Sequence, residues 1–335
     1  MHHRNGVTRR WSLRVAAAVA IAFAPQAASA CNVATANTDL GSHSSYVVAA
    51  TARQGSGSAG LSCDILLAAL TVHYVGLRVD ASTFQLNGPG GSSISYQASL
   101  TPGGTALTVG NFQNLSSLSL VSLFAGTNNS IPLYFRTTPT AGLRAGTYTG
   151  HIDLRWYYSV CSLGVAVCLV HSASPGFVRP ILLTPLNFGT GTAVRVNIEI
   201  RIENDCIIQA PQLNFGTAPL AGSFNAVTRT IQIRCSAGAA YTVGLDNGSH
   251  PAGSVRRMAS GSNHLAYEIY KSAVSPDRWG MLGAERRASA TADVNPGTYD
   301  SLTNQSYTYR AVIDPAQTTP PPGDYSDTVR IDVEF

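Results

Sequence analysis

Few residue patterns in this chain have the spacing that chemistry needs. Gly55-Ser56-Gly57-Ser58-Ala59-Gly60 fits G-x-G-x-x-G by letter. A dinucleotide site also needs a strand before it, a helix after it and an acid about 20 residues on. Here Cys63 follows almost at once and no helix begins, so the segment reads as a flexible loop between strands. His43, His73, His151, His171, His250 and His264 lack the i,i+2 and i,i+4 spacings of a metal pair. No G-x-S-x-G elbow occurs. His151 and Asp153 alternate near many serines, as they would in any serine-rich sheet. Arg256-Arg257 beside Met258 reads as a solvated edge, and Asp246-Asn247-Gly248 as turn chemistry. The patterns assign no catalytic residue, no metal and no cofactor, and the chain does not read as an enzyme.

What remains is cysteine chemistry: Cys31, Cys63, Cys161, Cys168, Cys206 and Cys235. An even number in an exported chain implies disulfides. Export is read from residues 1–30, where a positive stretch ends at Arg14, the apolar run Val15 to Ala24 follows, and Ala28-Ser29-Ala30 forms a cleavage site. Ten apolar residues are too few to span a bilayer, which takes about 20. Thr8 to Arg14 faintly resembles a twin-arginine signal, but Ser12 stands where a large apolar residue is expected. Cys31 directly after the site raises a lipoprotein reading against which Ala28 counts, and lipidation of Cys31 stays an open alternative.

Removal of the first 30 of 335 residues leaves 305, a length that suggests two domains. The 22 Lys and Arg include four arginines in the leader, so the mature chain balances its 18 acidic residues. A neutral surface, with only 12% charged residues overall, argues against nucleic-acid binding. The 44% apolar share excludes a disordered chain.

One unit occurs twice. Cys31 is followed nine and ten residues later by Leu40-Gly41, and Cys206 by Phe215-Gly216. Val75-Gly76-Leu77 answers Val243-Gly244-Leu245, and Ile94-Ser95-Tyr96-Gln97 answers Leu265-Ala266-Tyr267-Glu268. Gly146-Thr147-Tyr148 with Ile152 and Leu154 answers Gly323-Asp324-Tyr325 with Val329 and Ile331. By this register the pairings are Cys31–Cys63 and Cys206–Cys235, each closing about 30 residues and contributing roughly 3–4 kcal/mol in the chain-entropy model. Cys161 and Cys168 would close a hairpin that unit two lacks. Alternating, β-branched segments such as Tyr241–Leu245, Tyr307–Ile313 and Thr328–Phe335 read as strands, and no helical period of 10 residues appears after the leader. The fold class is all-β: two immunoglobulin-like antiparallel sandwiches in tandem, over 31–190 and 191–335.

These residues resemble the spore coat protein U domain family. The resemblance rests on the Cys-x8-[Leu/Phe]-Gly opening, the second cysteine, Val-Gly-Leu, Arg257-Met258, Leu265-Ala266-Tyr267, Trp279-Gly280 and the ending Gly323-Asp324-Tyr325-Ser326-Asp327-Thr328-Val329. It is close over Cys206–Phe335 and looser over Cys31–Tyr158, which lacks the Trp-Gly and Tyr-x-Asp-Thr-Val elements. It implies a subunit of archaic chaperone–usher pili, whose sandwich lacks its last strand. A periplasmic chaperone fills the gap, and the next pilin's donor strand replaces it at an outer-membrane usher. The acceptor edge is then Val329, Ile331, Val333 and Phe335, whose terminal carboxylate the chaperone grips.

One segment has the strict alternation of a donor strand: Val194, Val196, Ile198, Ile200 and Ile202. It either completes unit one in cis or opens unit two. No donor extension precedes Cys31, which points to a tip position. Ile65, Leu66, Leu67 and Leu70 have no counterpart in unit two, nor do Leu163, Val165 and Val167 in the stapled hairpin. By analogy with two-domain tip subunits these segments, with Leu118 to Phe124, form an apolar attachment surface. The alternative is a buried strand and a stapled linker. The leading expectation is therefore a pilus tip adhesin, exported through the periplasm to the cell surface, that binds a surface or receptor through unit one. A minor or shaft pilin, or a secreted structural coat protein, is the alternative.

Overall fold

The computed structural model describes residues 31–65, 71–163 and 168–335. The leader with its cleavage site lies outside them. Period-two alternation builds nearly every element, because successive side chains of a strand point to opposite faces. The first unit contains β1 (Cys31–Val33), β2 (Ala36–Ser44), the short helix α1 (Ser45–Ala50), β3 (Gln54–Cys63), β4 (Tyr74–Ser82) and β5 (Gln85–Asn87). It continues with β6 (Ser93–Ser99), β7 (Phe112–Asn114), the single turn α2 (Leu120–Leu123), β8 (Ser130–Thr137), β9 (Gly146–Leu163), β10 (Val170–Ala173) and β11 (Thr192–Glu203). The second contains β12 (Cys206–Gln209), β13 (Val227–Cys235), β14 (Thr242–Leu245), β15 (Arg256–Ser260) and β16 (Asn263–Tyr270). It ends with β17 (Arg287–Ala288), β18 (Gln305–Ile313) and β19 (Ile331–Glu334).

In the first sandwich, β1, β3, β8 and β6 form one layer, and β7, β4, β9, β11 and β2 form the other. β5 stitches the layers, pairing with β6 and touching β9 at Asn87–Thr149. β11 runs antiparallel to β9 from Thr192–Trp156 to Ile202–Gly146, and parallel to β2 from Val196–Ala36 to Glu203–Ser44. Its Val194, Val196, Ile198, Ile200 and Ile202 are all buried in the first core. Trp156 anchors that core and donates its indole N–H to the Ala59 carbonyl at 2.8 Å.

Gly55 to Gly60 is not the expected flexible loop: it is the middle of β3. A Cβ at Gly55 would lie 2.6 Å from Leu40 Cδ2, and one at Gly57 only 2.0 Å from Thr38 Oγ1. The glycines let β2 cross close over β3.

In the second sandwich, β12-β13-β18-β16-β15 form one sheet and β17-β14-β19 the other. Trp279 fills the centre and donates to the Val243 carbonyl at 2.9 Å. Arg256 is not on a solvated edge but fully buried. It ion-pairs with Glu268 and donates to the carbonyls of Leu245, Asp246 and Trp279, so a buried charge is compensated on every side. Arg257, the next residue along β15, donates to His250 and Pro251 carbonyls nearer the surface.

All three bridges are formed: Cys31–Cys63, Cys161–Cys168 and Cys206–Cys235. The first and third join directly opposed residues of adjacent strands. The sandwiches meet at α1, where Ser45 Oγ contacts Ser236 Oγ at 2.7 Å and Tyr46 donates to the Arg234 carbonyl at 2.8 Å. Because β11 contributes five aliphatic side chains to the first core, Ile198→Ala is expected to destabilise that sandwich by about 2–5 kcal/mol. Urea unfolding followed by tryptophan fluorescence checks this; an unchanged midpoint would place β11 outside the core.

Candidate functional site

The duplication allows one sandwich to be laid on the other. β9 corresponds to the segment from Gly323 to Glu334, with Tyr148, Gly150, Ile152 and Leu154 matching Tyr325, Asp327, Val329 and Ile331. β2 corresponds to the segment after β12, with Leu40 matching Phe215. Between β9 and β2 lies β11. Between their counterparts lies an open groove, two adjoining cavities of about 550 and 430 Å³.

One wall of the groove carries Leu213 and Phe215, and the other Tyr325, Asp327, Val329 and Ile331. Its floor is made by Ile231, Leu245, Met258, Leu265, Tyr267, Ile269 and Tyr309. The walls have lost regular pairing. Thr328–Phe335 reads as a strand in sequence, yet β19 begins only at Ile331, where it gains β14 as partner. Residues 210–217 likewise carry no strand, whereas their counterpart β2 is held by β11. A strand without a neighbour cannot satisfy its own amides. Tyr267 donates to Asp327 Oδ2 at 2.6 Å inside this groove, and burial together with that bond pushes the phenol well above its ordinary range. Val333 continues the inward face beyond the groove, and Phe335 is half exposed with its ring against Tyr241.

A second feature of the first sandwich follows the end of β10, which lies opposite Ser159 of β9. Val178 and Asn187 bridge, as do Ile181 and Thr184, making a hairpin whose corner is Leu182-Leu183. Leu182 and Leu183 are fully exposed and Ile181 is 73% exposed. The base of the hairpin is fixed: Phe177 packs on Tyr74, and Phe188 on Phe112, with centroids 5.8 and 4.9 Å apart. Arg179 donates to Ser159 Oγ at 2.9 Å and to the Val72 carbonyl at 3.0 Å, its guanidinium over the Tyr74 ring. His73 in turn contacts the Leu118 carbonyl at 2.8 Å. These bonds tie the hairpin to Val72 and His73 to Leu118, and Val72, Leu118, Val121 and the hairpin corner are all exposed. Leu169 and Val170, just beyond the stapled loop, are exposed too.

Of the residues singled out by sequence for an apolar attachment surface, Ile65 is half-buried against the first core. Leu66, Leu67, Leu70, Val165 and Val167 lie outside the described residues, and Leu163 is the last residue of β9. Sequence reasoning missed Ile181, Leu182 and Leu183. Their signal was present: three aliphatic residues bracketed by Pro180 and Pro185, an apolar run placed where no strand can continue. Among the described residues no group of three His, Cys, Asp or Glu could hold a metal, and no helix is long and apolar enough to cross a membrane. His151 and Asp153 do lie together, 3.9 Å apart, but Asp153 is bound by Arg195, which holds its carboxyl below the ordinary range.

The model of the Spore Coat Protein U domain matches residues 16–154 and again 166–332. No curated protein matches the chain. Among solved structures, the chain is similar to the CsuC–CsuE chaperone–tip adhesion subunit pre-assembly complex from archaic chaperone–usher Csu pili of Acinetobacter baumannii. Identity there is 30% over 91% of this chain and 100% of that chain, with a TM-score of 0.70. The CupB6 tip adhesin of Pseudomonas aeruginosa is 12% identical over 84% of both chains, with a TM-score of 0.27. A mutant of CfaE, the CFA/I adhesin of enterotoxigenic E. coli, is 9% identical over 90% of this chain and 92% of that chain, with a TM-score of 0.26.

Leu182 and Leu183 touch little of their own protein, so the double substitution L182D/L183D is expected to leave thermal stability within about 0.5 kcal/mol of the parent. Retention on a phenyl-substituted matrix should fall sharply at the same time. A stability loss of several kcal/mol would mean that the corner is packed rather than presented.

Proposed function

The chain belongs to the spore coat protein U domain family, and from that premise we propose that it is the tip adhesin subunit of an archaic chaperone–usher pilus. The observation that carries this reading is the open groove of the second sandwich, at the place β11 occupies in the first. β11, with Val194, Val196, Ile198, Ile200 and Ile202, acts as a donor strand in cis. The groove of unit two takes its strand from elsewhere: first from a periplasmic chaperone, then, at an outer-membrane usher, from the next pilin. An inserted strand supplies main-chain hydrogen bonds to both walls and puts alternate side chains into the groove. Five branched side chains at roughly 1.5–3 kcal/mol each give on the order of 10 kcal/mol before ordering costs. Val329 and Ile331 belong to one wall of this acceptor, and Val333 and Phe335 continue the same segment beyond it.

The 30% identity to the tip subunit captured with its chaperone supports the tip position. So does the use of β11: a shaft subunit needs the strand ahead of its pilin unit free for a neighbour, and here that strand is bonded along both edges. The subunit is exported to the cell surface, where unit one faces outward and attaches through its apolar end. Exposed contiguous apolar residues are costly on a soluble protein and mark contact surfaces. In sequence, Leu66, Leu67 and Leu70 precede Val72, and Val165 and Val167 precede Leu169. The substrate class is therefore an apolar surface or an apolar patch on a receptor.

Co-expression with the periplasmic chaperone of an archaic chaperone–usher system should yield a one-to-one complex. Phe215→Arg, which puts a cation into the groove wall, should reduce capture at least ten-fold while leaving unit one folded. A mature chain that is soluble, monomeric and never captured would overturn the reading.

A further inference from the structure

The filled groove of unit one and the open groove of unit two differ in one inward position of the β9-type wall. Tyr148 and Tyr325 are identical, and Ile152 and Leu154 face Val329 and Ile331 as aliphatic counterparts. The remaining position is Gly150 in the first sandwich and Asp327 in the second. Gly150 is directly opposite Ile198 of β11. A Cβ there would lie 2.4 Å from the Gln85 carbonyl, so no side chain fits and Ile198 sits in an apolar place, 1% exposed.

Asp327 is inward-facing by the same register. Tyr325, Asp327, Val329 and Ile331 are half-buried, whereas Ser326, Thr328 and Arg330 between them are exposed. Its carboxylate accepts from the Tyr267 hydroxyl at 2.6 Å, the Ser249 amide at 2.7 Å and its neighbour Thr328 amide at 2.8 Å. Gly248, whose added Cβ would stand 1.9 Å from Oδ2, leaves room for it. Tyr96, the counterpart of Tyr267, instead places its hydroxyl 3.1 Å from both Ser82 Oγ and the His151 carbonyl. Two carboxylate oxygens offer about four acceptor positions, so one position at Asp327 is left for an incoming donor. No cation pairs with it among the described residues.

A strand inserted in the register of β11 brings one side chain opposite Asp327, with Cβ atoms about 4.5–5.5 Å apart. An isoleucine there strips water from a carboxylate and returns no hydrogen bond, which is unfavourable. Serine, threonine or asparagine returns the bond, and glycine leaves space for water. Building on the donor-strand reading above, we propose that Asp327 is a specificity-determining residue of the acceptor groove. It admits a strand whose residue at this register is small or hydrogen-bonding, and it rejects a strand with a branched aliphatic there. The rejected class includes the chain's own β11. Two similar sandwiches flank that strand, and Asp327 biases it toward the first.

The test uses the purified mature chain and two fluorescein-labelled peptides of residues 194–202, one native and one carrying Ile198→Ser, read by fluorescence anisotropy. The serine peptide is expected to bind at least ten-fold more tightly, to lose binding on the Phe215→Arg chain, and to lose its advantage on Asp327→Gly. Equal affinity of the two peptides for the parent chain overturns the role of Asp327 while leaving the groove as a strand acceptor, and this comparison holds even where Asp327→Gly fails to fold. Absence of binding by either peptide overturns both readings.

Discussion

The backbone amides of a β-strand must be paired on both sides or left to water, and the interior of a sandwich admits no water. The position between the β9-type and β2-type strands is where this constraint bears on the present protein. In unit one β11 occupies it, bonding antiparallel to β9 and parallel to β2, and both neighbours are long regular strands. In unit two the position is open, the flanking segments lose regular pairing, and apolar residues of the floor are left facing a groove. The same repeated unit thus appears in a closed and an open state within one chain. The difference between them is a single strand.

The proposed adhesin role would set a different constraint on the first sandwich. Apolar contact with a surface is strong only if the presenting side chains lose little freedom on contact. The Leu182-Leu183 corner meets this by standing on a base of edge-to-face aromatic rings, with Arg179 tying the hairpin to Val72 and Ser159. The Cys161–Cys168 bridge joins the end of β9 to the segment that leads into β10. The corner rests on the sandwich beneath, whose core includes the aliphatic side chains of β11. The joint at α1 carries that end on unit two through Ser45, Tyr46 and the Arg234 guanidinium stacked over the Tyr46 ring.

Much of this was legible in the residues. The duplication, the three bridges and the alternation of β11 are all local patterns whose period or spacing carries its own meaning. Other features were not. Arg256 next to Arg257 has the look of a surface pair, and only the carbonyls of Leu245, Asp246 and Trp279, distant in sequence, make its burial tolerable. The glycines of β3 resemble a linker because glycine marks both flexibility and close approach, and the crossing strand that distinguishes them is β2.

By itself the sequence determined that this protein is all-β, doubled and stapled, since alternation, repeat and cysteine count are properties of the chain read in one dimension. The tertiary structure alone decided which sandwich holds β11, where strand pairing stops in unit two, and which aliphatic residues stand in solvent. Those outcomes depend on what lies beside a segment in space: an alternating strand fits any matching groove, and an apolar triplet such as Ile181–Leu183 is core or contact surface according to what covers it.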